Sequence, residues 1–256
     1  MGKNHHSVSV KLGGIPMRIC FRFDNNGAFF SDYTTEEKPL LVIDPSDEDV
    51  ERIRNQMALS SAKNGMSGQK YRPDFIERNV LHSLVAEQLV SYDVLLMHGS
   101  ALCMDSQAFL FTAQSGVGKS THARLWREVF GDRVRMINDD KPLLQIRDSD
   151  VLVWGSPWNG KHRLSSNICA PLKAVAALHQ AAENRVVRMT DAEAFSVLRQ
   201  RAYQAISFER GMTVIELEKK ILSMIPFYDL WCNMRPEAAE VAFREMASGL
   251  TRRMDI

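Results

Sequence analysis

No apolar run in this sequence approaches the roughly 18 residues that a membrane-crossing helix needs. Ala174 to Leu178 is typical of the longest. Cysteine is scarce: Cys20, Cys103, Cys169 and Cys232 lie far apart, with no C-x-x-C pair. That spacing argues against a disulfide framework or a cysteine-held zinc site, and the four read as free core thiols of a reducing, cytoplasmic setting. Net charge is lacking too. Lys plus Arg (32) nearly cancel Asp plus Glu (31), leaving +1, which argues against a chain built to wrap nucleic acid by phosphate neutralisation. The opening residues, Met1 to His6, carry none of the apolar stretch of a secretory signal. Internal repeats, low-complexity tracts and Pro/Gly/Ser linkers are absent as well.

What remains is the profile of a soluble globular protein, with 45% hydrophobic, 8% aromatic and 25% charged residues. Its 256 residues suffice for one large domain, or one domain and a smaller companion. The 13 methionines read as core filler.

Residues 1 to 12 are polar and read as frayed. Met17 to Phe23 alternates as a half-buried strand running into a turn over Asp24 to Gly27. Leu40 to Ile43 is a short β-like run, and Ser46 is placed to cap a helix through Val50 and Ile53. A stronger helix spans about Pro73 to Tyr92, with Ile76, Val80, Leu84, Val85 and Leu89 at helical spacing. Ser60 to Tyr71, between the two helices, reads as a mobile loop.

From Val94 the pattern changes to short strands. Ser100 to Cys103 and Ala108 to Thr112 flank Asp105-Ser106, a hairpin turn. A glycine-rich loop, a helix from about Ser120 to Phe130 and a strand over Val134 to Ile137 follow. Pro142 to Ile146 and Val151 to Trp154 form a second hairpin around Arg147 to Asp150. Leu172 to Leu178, Arg185 to Arg188 and Phe227 to Trp231 are further strands. Thr190 and Glu193 spell a capping box, and helices follow over about Glu209 to Met224 and Pro236 to Met246. A doubly wound sheet would carry a helix ahead of the glycine-rich loop. The hairpin there predicts an α/β fold of mixed type, its sheet mixed and largely antiparallel.

Ala113-Gln-Ser-Gly-Val-Gly118-Lys119-Ser120 fits a phosphate-binding loop, with Ala where the first Gly is usual. Gly116 and Gly118 let successive N–H groups of Ser115 to Thr121, Val117 among them, turn inward towards phosphate oxygens. The helix that follows aims its positive end at the same place. Lys119 supplies a point charge and Ser120 a hydroxyl for Mg²⁺. The preceding strand and following helix are the context the motif requires.

Asn138-Asp139-Asp140 ends an apolar strand. Such a pair is ordinarily a solvated turn, but beside a phosphate loop one carboxylate can hold a metal and the other accept a proton. His98 stands at the mouth of the first hairpin. Trp154 to His162 holds two Trp, a Pro and two Gly around Lys161. Lys161 reads either as a cation for the transferring phosphoryl group or as a solvated lysine. His122 stays open; Arg124 and Arg127 read as surface charges.

The series Met97-His-Gly-Ser-Ala, Ser115-Gly-Val-Gly-Lys-Ser and Asn138-Asp-Asp resembles the catalytic core of the HPr kinase/phosphorylase family. In the same order it resembles the phosphoenolpyruvate carboxykinases that share that fold. The resemblance covers about residues 94 to 180. It implies Lys119 and Ser120 on phosphates and metal, Asp139 as base, Asp140 as a metal-associated carboxylate, and His98 as a neighbour of phosphate or a second metal. The chain departs from the kinase/phosphorylase itself, with Thr121-His122 after the loop serine and no Gly-rich signature loop. It looks more like smaller relatives whose acceptors vary.

The expectation is thus an ATP- and Mg²⁺-dependent kinase acting on a serine-type hydroxyl of a small molecule, peptide or protein. Residues 76–256 would form the catalytic domain, and 1–75 a small α/β region that helps recognise the acceptor. An ATP-binding regulatory module without transfer is the alternative. Neither nucleic acid nor membrane is an expected partner, and oligomeric state is not legible.

Overall fold

The computed structural model describes residues 6–63, 65, 68, 70–205 and 207–248. By its own contacts the chain divides into Met1–Leu89 and Val90–Ile256. The sequence-based boundary fell between 75 and 76, inside a helix whose Ile76 and Val80 pack with Ile53 of the N-terminal unit.

In that unit, β1 (His6–Leu12) and β2 (Ile15–Phe21) form a hairpin closed at Leu12 and Ile15. Gly13 and Gly14 both take left-handed φ, 59° and 82°, as the tightest hairpin turns require. The described residues of the stretch expected to fray are therefore a strand. Val8, Val10 and Leu12 alternate with polar residues, and Val10 and Leu12 are fully buried.

The second correction is α1 (Asn25–Ala28), a short helix where a turn was expected, with β2 ending at Phe21 rather than Phe23. Its cause is remote in sequence. The Glu77 carboxylate accepts the backbone N–H groups of Arg22 and Phe23, and Asn26 Nδ2 donates to it at 2.8 Å. β3 (Leu41–Ile43) adds parallel to β2. The helix α2 (Asp47–Lys63) starts at Ser46, whose hydroxyl accepts the Asp49 N–H.

It then runs into the stretch expected as loop, where Ser61 Oγ meets the Tyr71 hydroxyl at 2.5 Å. Of that expected loop, residues 64, 66, 67 and 69 lie outside the described residues. The helix α3 (Pro73–Leu89) closes the unit.

The larger unit is built on a mixed sheet, nine-stranded among the described residues. In chain order its elements are β4 (Val94–Leu96), β5 (Ser100–Met104), β6 (Gln107–Thr112), α4 (Lys119–Phe130), β7 (Val134–Asn138), β8 (Leu143–Ile146) and β9 (Val151–Trp154). Then come β10 (Cys169–Gln180), β11 (Arg185–Arg188), α5 (Asp191–Arg201), α6 (Phe208–Met224), β12 (Phe227–Cys232) and α7 (Glu237–Ser248). Strand order is β4-β8-β9-β10-β6-β5-β7, with β12 beside β10 and β11 beside β12. Among the described strands of this sheet only β6–β10 and β10–β12 pair parallel, so it is mixed and largely antiparallel. Asp105 and Ser106 close the β5–β6 hairpin with φ of 50° and 63°.

Alternate residues of β6 serve opposite faces, as a pleated strand dictates. Phe109 and Phe111 pack with Trp126 of α4 and Ala242 of α7. Leu110 packs with Leu198 of α5 and Ile221 of α6. The α5–α6 face also buries a charge: Glu218 is wholly enclosed and meets the Arg199 guanidinium at 3.3 Å. Burial pushes the Glu218 carboxyl up, and Arg199 offsets this only in part.

Arg199→Met is therefore expected to cost about 2 kcal/mol, discounted for the partial exposure of the guanidinium. Adding Glu218→Gln should recover most of it. Because the raised carboxyl binds its proton more tightly folded than unfolded, the deficit of the single variant grows as pH rises above the ordinary carboxylate range. Urea unfolding at acidic and neutral pH checks both points. No helix among the described residues is long and apolar enough to cross a membrane, and all four cysteines are free thiols, Cys169 exposed.

Candidate active site

Strand β6 ends at Thr112, and α4 begins at Lys119. Between them Gly116 and Gly118 take φ of 84° and 123°, where a side chain would be strained although the space around both is open. The first hydrogen bond of α4 runs from the His122 N–H to the Gly118 carbonyl at 2.9 Å. The amides ahead of it are those a helix N-terminus turns towards an anion. Lys119 folds back over the loop, and its Nζ donates to the Ala113 carbonyl at 3.1 Å. Burial lowers its affinity for a proton; Asp140 opposes this, while Arg201 and Lys141 add to it. Ser115, Gly116 and Ser120 are exposed, and Val117, Gly118 and Thr121 are half-buried.

At the end of β7, Asn138 is wholly buried and does two jobs. Its Oδ1 accepts the N–H groups of Asp140 (2.8 Å) and Lys141 (2.6 Å), closing the turn that carries the acidic pair. Its Nδ2 donates to the carbonyls of Ser156 (2.9 Å) and Trp158 (3.3 Å), fixing the loop after β9. Asp139 is 4% exposed, and its Oδ1 accepts the Gly160 N–H at 2.6 Å. Its Oδ2 is buried without a hydrogen-bond partner. A Cβ at position 160 would lie 3.1 Å from that oxygen, so the backbone at Gly160 passes too close to Asp139 for a larger residue to sit there without a shift.

Asp140 Oδ1 lies 3.1 Å from His98 Nδ1, and Lys141 Nζ lies 2.9 Å from the same nitrogen. Burial would raise the Asp140 carboxyl, but the His98 hydrogen bond and the charges of Lys141, His98 and Lys119 outweigh it, holding the group below the usual carboxylate range. The His98 N–H donates to the Arg201 carbonyl at 2.8 Å, and Thr112 Oγ1 donates to the His98 carbonyl at 2.9 Å. The His98 backbone thus joins β6, through the Thr112 hydroxyl, to the end of α5 at Arg201.

Of the residues singled out in the sequence, Asp140, His98 and Lys119 come into electrostatic reach of one another, and Asp139 adjoins them in the chain. Lys161 is exposed and follows Gly160. His122 belongs to the core: it is 2% exposed, accepts the Trp126 Nε1–H at 3.0 Å and stacks edge-on with Phe111. Burial lowers its pKa to about 3, so the ring is neutral near pH 7. Arg124 pairs with Glu128 at the surface. Sequence reasoning missed Lys141 and Arg201. For Lys141 the signal was its place directly after the acidic pair; for Arg201 there was none, since the chain returns to the site only in three dimensions.

A cleft of about 770 Å³ opens from the loop segment Thr112 to Val117. It runs past the end of β10, Ala177 to Gln180, to Asp229 of β12, and is bounded by Val197, Gln200 and Arg201 of α5.

No model of a known protein family matches the chain, and no curated protein matches it in sequence. Among solved structures it is similar to the HPr(Ser) kinase/phosphatase from Coxiella burnetii, at 9% identity and a TM-score of 0.36. That likeness covers 60% of this chain and 97% of the other. It is a relationship of structure alone and assigns this chain no activity.

Proposed function

We propose that the protein is an ATP- and Mg²⁺-dependent kinase that transfers the γ-phosphoryl group to a hydroxyl, of serine type, on a small molecule, peptide or protein. The observation that carries this reading is Asp139 Oδ2, a buried carboxylate oxygen with no partner, next in the chain to an aspartate that faces Lys119 electrostatically. Binding a nucleotide would not require such an oxygen; removing a proton does.

The loop Ser115 to Thr121 would hold the phosphates, with Lys119 on the β and γ groups. The donor set suits Mg²⁺: the Ser120 hydroxyl and the Asp140 carboxylate are hard oxygen ligands, and Asp140 is held ionised. Among the described residues no group of three or more His, Cys, Asp or Glu side chains is placed to hold a metal, so these two residues would hold the ion only together with oxygens of the nucleotide and water. When bound, Mg²⁺ neutralises charge on the phosphate oxygens. Asp139 Oδ2 takes the proton of the acceptor hydroxyl as its oxygen bonds to phosphorus. The bond from the γ-phosphorus to the bridging oxygen breaks, and ADP leaves with that electron pair. Lys119, Lys141 and Lys161 supply positive charge around the transferring group, with His98 its neighbour. Residues of the N-terminal unit help recognise the acceptor.

Asp139→Asn is expected to keep ATP binding and lower transfer by about 10²- to 10⁴-fold. ADP release, with dialysable and retained fractions of a cell extract supplied separately as acceptor, measures this. A variant that binds ATP and transfers at the wild-type rate would remove Asp139 as the base. A protein whose response to a partner survives the substitution unchanged, with no acceptor-dependent ADP release in the wild type, would be the regulatory module instead.

A further inference from the structure

The cleft beside the phosphate loop lies on the side away from the acidic pair. Asp139 and Asp140 follow β7, which is separated from β6 by β5, whereas the cleft follows β10 and β12 on the other flank of β6. A nucleotide has two ends. If its phosphates lie on the loop with the γ group towards Asp140, its other end must leave in the direction of the cleft. The volume, about 770 Å³, is that of a site for a whole cofactor rather than for a phosphate tail.

The lining matches such a ligand. Ala177, Leu178 and Val197 give an apolar floor, while His179, Gln200 and Asp229 offer polar groups. His179 Nε2 and Asp229 Oδ1 are 2.6 Å apart, which fixes both side chains. The imidazole stacks on Trp231, with ring centres 5.0 Å apart and planes at 22°, and the Arg185 guanidinium lies 4.3 Å from the same indole. The histidine side chain is nonetheless 44% exposed. A carboxylate at the far end of a phosphate cleft is suited to ribose hydroxyls, and an imidazole already held in a stack is suited to a base. Gln180 Nε2 donates to the Val117 carbonyl at 3.1 Å, joining the wall of the cleft to the phosphate loop.

We infer that this cleft is the nucleoside subsite, with the His179–Asp229 pair reading the ribose and base of the donor. The inference rests on the kinase reading for its phosphate end. It assigns residues that sequence motifs left untouched, and it makes the protein selective for a nucleotide over other polyphosphates.

Calorimetric titration with Mg-ATP and with inorganic tripolyphosphate separates the two ideas. His179→Ala and Asp229→Ala are expected to weaken ATP binding by about tenfold or more while tripolyphosphate binding holds within roughly twofold. Lys119→Ala should weaken both. Gln200→Trp, at an exposed position of α5, fills the cleft without touching the sheet, and should also lose ATP and keep tripolyphosphate. It decides the matter should the first two variants fail to fold. ATP binding that survives in Gln200→Trp at wild-type strength overturns the inference and leaves the kinase reading standing. So does a wild type that binds both ligands equally. A cleft whose variants bind ATP normally but lose acceptor-dependent turnover is an acceptor site, which also overturns it. Failure of the wild type to bind either ligand removes the kinase reading itself.

Discussion

Lys119→Ala is expected to lower phosphoryl transfer by about 10²- to 10³-fold, the usual loss when one preorganised charge is taken from a transition state. The side chain is well placed for that effect. Its Nζ is anchored to the Ala113 carbonyl at the start of the loop, and it is held within a cluster of Asp140, Lys141 and Arg201. A half-buried ammonium already stripped of part of its water has less solvation to lose when a phosphate arrives. Lys119→Arg should not rescue the activity, because a planar fork cannot occupy the space of a compact ammonium. The check is acceptor-dependent ADP release alongside a thermal melt. A melt like that of the wild type with transfer lost supports the role, and wild-type turnover in the alanine variant excludes it.

The second large effect concerns architecture. A Cβ at Gly155 would fall 1.9 Å from the Ser166 carbonyl oxygen and 2.9 Å from that of Ile137. Both obstacles are backbone, so neither can swing aside. The Ser166 N–H is bonded to Ile137 O and the Gly155 N–H to Ile168 O, each at 3.1 Å. Gly155→Ala must break at least one of these, and it is expected to cost about 3 kcal/mol or more in denaturant unfolding. Transfer should fall with it, because the displaced segment leads directly into Gly160, the donor to Asp139. A variant as stable as the parent would show that the 155–166 crossing is looser than this geometry.

How much of this was legible in the sequence follows from how local each feature is. The glycine-rich loop between β6 and α4 was legible, since its glycines, lysine and hydroxyl are consecutive and the flanking strand and helix are set by neighbouring residues. The β5–β6 hairpin was legible for the same reason: Asp105 and Ser106 tolerate the left-handed backbone the turn needs. The helix at Asn25 was not, because the groups that hold it, Asp74 and Glu77, lie on α3. His122 was left open by its position in the sequence, yet one helical turn sets it on the face that carries Trp126 and turns it into the core. The cleft was illegible altogether. Its walls come from β6, β10, β12 and α5, and no spacing along the chain records that they meet.

One strand binds the larger unit into a whole. Along one edge β10 first pairs with β9 through Cys169 to Pro171, then with β12 through Val175 to Gln180, while its other edge holds β6. Among the described strands, neither the antiparallel group of β4, β8 and β9 nor the pair of β11 and β12 is joined by pairing to β6 except through β10. During folding, then, the loop strand gains its parallel neighbour only after the intervening hairpin, helix and β7 have been made, and every such pairing closes a long stretch of chain. The half that carries the glycine-rich loop cannot mature ahead of the rest, and a nascent chain released before β10 would leave one edge of β6 unpaired along Ala108 to Thr112.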